Sequence, residues 1–216
     1  VARIDDYKES FRLAAQKLKS VDLHRLARLA GADVDVETDG AVRVGLPFLG
    51  EPFLIRVDEN VDVSKEGQEG EVPLPEKILL CHYLLHASGE PGTDQLITFR
   101  EIPDGHFYYD AFQRRARDPF LATFGRKPDL FRSCAAALGG QPVDTADVGM
   151  AFQVLPHITI RLALWQGDEE FPPEANILFD ESIKTRLPVE DIAVLTGMLV
   201  YRLMGIARRQ EAEAKN

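Results

Sequence analysis

At 216 residues, 45% hydrophobic and 28% charged, the chain has the composition of a folded globular protein and the length to bury a substantial core. Acids outnumber bases 35 to 25, a formal charge of −10. That balance argues against nucleic acid as partner, because backbone binding rests on Lys and Arg neutralising phosphates. No apolar run approaches the roughly 20 residues of a membrane span, and the opening V-A-R-I-D-D-Y-K-E-S-F lacks a signal-peptide pattern. A cytoplasmic location is the expectation, with neither membrane nor nucleic acid as partner.

The first thirty residues predict two helical segments. Asp6 and Glu9 have capping-box spacing, Ser20 can cap the second segment, and Gly31 ends it. The period then changes to two. Val34 and Val36, the dipeptide Asp39-Gly40, then Val42 and Val44 predict a hairpin whose two turn residues take positive φ. A third strand is expected over Phe53–Val57, followed by a charged loop over 59–73. Leu74–Ala87 is apolar nearly all round and predicts a buried helix.

Leu96–Ile102 alternates like a strand. Two amphipathic segments at 107–124 and 128–138 follow, parted by Gly125 and the Lys127-Pro128 break. Strands are expected at 149–155, 157–165 and 177–179, then a helix from Pro188 with Glu190 and Asp191 at its positive end. Short turns between the late strands point to α+β with a largely antiparallel sheet, doubly wound α/β being the alternative. One domain is expected: a helical segment 5–31, an α+β core 32–205 and a frayed tail 206–216.

The common nucleotide-binding, zinc-protease and α/β-hydrolase motifs are missing from the sequence. His82 and His86, four apart on one helical face, are the candidate metal ligands, with His157 or the acids at 168–170 as a third; the alternative is a core His82 bonded to a backbone carbonyl, with His86 near the exposed end. Cys81 and Cys134 have no C-x-x-C spacing and read as buried small hydrophobes. Asp168, Glu169 and Glu170 follow a strand. Crowded acids of this kind serve a general acid, bind a hard cation, or form an ordinary solvated turn. Asp180 can cap a short turn. Arg100 lies mid-strand among apolar neighbours and calls for an anion, either a ligand or the acids at 168–170. Trp165 can stack on a planar ligand or belong to the core.

I-L-L-C-H-Y-L-L, I-T-F-R-E-I-P, F-L-A-T-F-G, A-L-W-Q-G-D-E-E-F-P-P-E-A-N-I-L-F-D and L-P-V-E-D-I-A-V-L together resemble the family catalogued as domain of unknown function 3786, over about residues 5–205. Members belong mainly to anaerobic bacteria and archaea, and some carry an added iron–sulfur domain. The resemblance implies a role in anaerobic redox or cofactor metabolism. Its motif positions are His82, Arg100, Trp165, Asp168, Glu169, Glu170, Asn176 and Asp180. Lacking a cysteine cluster, this chain is not expected to hold an iron–sulfur cluster alone. Three functions are expected: binding of a ligand or cofactor, metal or planar redox; acid/base catalysis on a small anion by Glu169 or Glu170 with Arg100 orienting it; or docking to an iron–sulfur protein.

Overall fold

The computed structural model describes residues 4–214. They form an α+β protein with two antiparallel sheets, distributed over two compact units. Of the described residues, the first unit takes 4–91 with 155–157 and 185–188, and the second takes the others.

The first unit opens with α1 (Ile4–Leu18) and α2 (Leu23–Ala30). The expected caps shift. Asp6 and Glu9 both lie inside α1, and Glu9 pairs with Arg12 one turn on. Asp22, not Ser20, caps α2 by accepting the Arg25 N–H at 3.0 Å, because Ser20 donates its hydroxyl back to Lys17. Gly31 at φ 67° closes α2 as expected.

Four strands follow in spatial order: β1 (Asp33–Val36), β2 (Val42–Phe48), β3 (Glu51–Val57) and β4 (Val61–Lys65). The β1–β2 hairpin forms, but its turn differs from the expected one. Residues 37–41 make a wider connection closed by Glu37 N–H to Ala41 O at 2.8 Å, and of Asp39 and Gly40 only Gly40 has positive φ. The two-residue turn with both φ positive lies at Leu49-Gly50, at 50° and 79°. β4 corrects the expected loop at 59–73: Val61 and Val63 alternate, and Val63 is buried. Helix α3 (Leu74–Leu85) is buried along Ile78–Cys81 and at Tyr83 and Leu84, as its continuous apolarity requires.

A second sheet is made by β5 (Leu96–Thr98), β6 (Gln141–Val143), β7 (Val148–Leu155), β8 (Ile158–Trp165) and β9 (Glu174–Asp180), in the order β5-β9-β8-β7-β6. The expected strand at 96–102 stops at Thr98. The Glu101 carboxylate accepts both the Thr98 N–H (2.7 Å) and its hydroxyl (2.8 Å), turning Phe99–Glu101 into a 3₁₀ turn. Helix α4 (Gly105–Phe112) continues through a π-helical turn (Gln113–Arg117) into α5 (Asp118–Phe124), and α6 (Pro128–Ala137) follows. The short α7 (Ile183–Arg186) precedes α8 (Val189–Glu213), against which α4, α5 and α6 pack. α8 stays helical well past the expected fraying at 206, and residues 215–216 of that tail lie outside the described residues. Among the described residues no helix is long and apolar enough to cross a membrane.

Candidate functional site

Successive side chains of β8 and β9 turn to opposite faces of the five-stranded sheet, and one face is buried throughout. Ile158, Ile160, Leu162 and Leu164 of β8, and Ala175, Ile177 and Phe179 of β9, are buried. Ile97, Phe99 and Phe112 extend this core, with the Phe99 and Phe112 rings stacked 4.1 Å apart. The intervening residues turn to the second face. There the register sets Arg161 beside Leu178, Ala163 beside Asn176 and Trp165 beside Glu174, while Thr98 flanks Leu178 from β5. Arg161, Asn176, Leu178 and Thr98 are half-buried; Trp165 is 39% exposed.

Arg161 sits on the middle strand of this sheet. Among the described residues no carboxylate pairs with its guanidinium. Asn176 turns its side-chain oxygen to the Ile177 N–H at 2.9 Å, which leaves the amide N–H2 group as a donor. Arg161 and Trp165, both on this face, are four residues apart, about 13 Å along an extended strand. Between them on β8 lies Ala163, which is fully buried.

Beyond Trp165 the chain makes a closed loop. Asp168 accepts the N–H groups of Glu170 (2.8 Å) and Phe171 (2.7 Å), and its own N–H donates to Phe171 O at 2.9 Å. The Phe171 and Glu170 N–H groups hold the Asp168 carboxyl below its ordinary value. Gly167 is required here, since a Cβ would lie 2.5 Å from the Pro173 nitrogen and 2.7 Å from Phe171 O. Asp168 is therefore the internal tie of this loop. Glu169 and Glu170 are exposed on it beside Phe171, itself 67% exposed.

The opposite end of β9 is sealed. Asp180 accepts the N–H of Thr93 (3.1 Å), Asp94 (2.7 Å) and Ser182 (2.9 Å), and the Thr93 hydroxyl at 3.2 Å. Partial burial raises its pKa, but these donors and the Ser182 side chain outweigh it and hold the carboxyl at about 2. Asp180 thus ties down the Thr93–Asp94 segment, which goes further than the expected turn cap. It lies about 20 Å of extended strand from Glu174, so it and the 168–170 acids occupy separate regions. Arg100 is likewise displaced from its expected setting. It lies on the 3₁₀ turn rather than mid-strand, exposed, with its guanidinium 4.0 Å above the Tyr109 ring. Its partner is an aromatic face, not a carboxylate.

His82 and His86 belong to the first unit. They do share a face of α3, with ring centroids 6.2 Å apart at 81°, and His86 Nδ1 lies 2.9 Å from His82 O. Cys81 points into the core, where burial pushes its thiol up to about 12, and Cys134 is buried as well. The His157 backbone N–H donates to the Tyr83 hydroxyl at 3.1 Å, and that hydroxyl donates to Ala30 O at 2.8 Å. Among the described residues no three His, Cys, Asp or Glu side chains are grouped to hold a metal ion. The motif positions thus divide. Trp165 and Asn176 share one sheet face at the acidic loop; Asp180 and Arg100 lie apart from that loop, and His82 lies in the other unit. Arg161, the residue sequence reasoning passed over, completes the first group. Its signal was a lone cation in the alternating run I-T-I-R-L-A-L-W.

No curated protein and no solved structure matches the chain. The profile of the DUF3786 family, a domain of unknown function, matches residues 22–202, a span that includes both sheets and the acidic loop but omits α1. The chain belongs to the DUF3786 family.

Proposed function

We propose that this chain is a cytoplasmic binding protein for a small-molecule ligand or cofactor, and that the ligand lies on the second face of the five-stranded sheet. The observation that carries this reading is Arg161, half-buried on a central strand with no carboxylate partner among the described residues, on the same face and strand as the part-exposed Trp165. A guanidinium in that setting keeps five directed N–H donors for a ligand. Asn176 adds an amide beside it, and the tied 167–171 loop borders the face. A place in anaerobic redox or cofactor metabolism, implied by the family resemblance, is part of this proposal. The acid/base reading has less support, because Arg100 rests on Tyr109 rather than beside Glu169 and Glu170.

The exposed Phe171 between acids and prolines favours a second reading, in which the loop touches a protein partner such as an iron–sulfur protein. One preparation separates the two. Protein purified without oxygen is denatured, and the released material is analysed by absorbance, mass spectrometry and metal content. A stoichiometric small molecule, depleted in Trp165→Ala, supports the ligand reading. A bare protein that instead retains an iron–sulfur protein through Phe171 supports the docking reading.

A further inference from the structure

Building on that ligand reading, we propose that the second sheet face takes a planar ring joined by a flexible arm to a phosphate or carboxylate, the ring stacking on Trp165 and the anion pairing with Arg161. Three features set this class. Among the described residues Arg161 has no counter-ion, and its planar fork fits a carboxylate or phosphate bidentately. The acids that turn to the same face lie away from it or are engaged. Glu174 stands opposite Trp165, and Asp180 is held by four donors from the Thr93–Asp94 segment and Ser182.

The spacing then fixes a length. The Arg161 and Trp165 backbones are about 13 Å apart along the strand, and strand side chains stand roughly perpendicular to the sheet, so a ring and an anion attached directly to one another are poorly placed to engage both. Several bonds must separate them. Between the two anchors Ala163 is fully buried, so the arm passes on the side of the half-buried Asn176, whose amide is a donor for a hydroxyl or carbonyl on it. Orientation follows from charge. Glu169, Glu170 and Glu174 cluster at the Trp165 end, so an anion there is repelled and the ring end must be neutral or cationic.

Flavin mononucleotide and riboflavin test this, since they share ring and arm and differ by the phosphate. The full chain is titrated into each, and quenching of flavin fluorescence is followed, a readout that also serves variants lacking Trp165. The expected result is saturable quenching, with the phosphate form bound roughly ten- to a hundredfold more tightly, as a charge-assisted pair supplies. Arg161→Gln is expected to erase that preference while riboflavin binding and the melting temperature stay unchanged. Trp165→Ala is expected to weaken both flavins alike. Equal affinity of the native chain for the two flavins, or a preference that survives Arg161→Gln, overturns the anion anchor and leaves the ligand reading standing. Binding of neither flavin overturns the proposed class. The ligand reading then falls with it only if the protein purified without oxygen also releases no small molecule.

Discussion

The two sheets treat arginine in opposite ways. In the four-stranded sheet Arg43 and Arg56 stand directly opposite one another, a like-charge pair that by itself destabilises a ladder. Acids of β1 and the adjoining turns offset it. Arg43 Nε lies 3.8 Å from Asp35 and 3.5 Å from Glu37, while Arg56 meets Glu37 at 2.8 Å, Asp39 at 2.5 Å and also Asp58. Hydrogen bonds to Glu37 and Asp58 hold the Arg56 guanidinium yet more firmly protonated. In the five-stranded sheet Arg161 lies on a central strand with no such acid among the described residues. A strand arginine is therefore judged by its company: one surrounded by acids from adjoining turns is part of the scaffold, and one left without them keeps its donors for something else.

The largest effect tests what the sheets have in common, a fully buried layer. Phe179→Ala should cost about 3–5 kcal/mol and Ile55→Ala about 2–5 kcal/mol in urea unfolding, because each leaves a cavity at a site of 0% exposure. A loss below about 1 kcal/mol at either site would remove that layer from the fold described here. The next concerns acid. The Asp180 carboxyl lies at about 2 against an ordinary 3.8, so its contribution is fully present above about pH 4 and is lost as pH falls toward 2. Thermal melts of Asp180→Asn should start lower than the native chain's at pH 7 and converge with them in that acid window; parallel curves would mean the loop tie contributes nothing.

The arginines themselves should differ by a smaller margin. Arg56→Gln strands Glu37, Asp39 and Asp58 together, so its melting temperature should drop by a few degrees at low salt, and 1 M NaCl, where the screening length is about 3 Å, should close most of the gap. Arg161→Gln should move stability by no more than about 0.5 kcal/mol at any salt. A salt-sensitive destabilisation at Arg161 matching that at Arg56 would place both in the scaffold and dissolve the contrast.

The sequence disclosed elements where one period dominated. Val34 to Val44 could only pair as a hairpin, α3 was apolar throughout, and β8 alternated over its whole length. β4 escaped because Val61 and Val63 are set among acids and glycines, and only Val63 reaches the core. The strand expected at Leu96–Ile102 was cut by Thr98 and Glu101, whose cap overrides the apolar alternation. At the candidate site, Trp165 and Asn176 were legible from their motif. Arg161 was not, because one cation in an apolar strand acquires meaning only once the register reveals which neighbours it has and which it lacks.

The π-helical turn at Gln113–Arg117 settles a mismatch written into residues 105–124. The buried side chains Phe112, Ala116, Phe120 and Phe124 recur every four residues, a spacing that overshoots a 3.6-residue turn by about 40° at each step. An unbroken α-helix would carry Phe124 about 120° around the axis from Phe112. The wider turn winds more slowly and gives back much of that rotation, so the last aromatics still face inward, and Phe120 meets Phe131 at 4.9 Å. A one-residue deletion between 113 and 117 would regularise the backbone and yet swing everything after it by about 100°. This stretch therefore tolerates exchange of side chains far better than a change in its length.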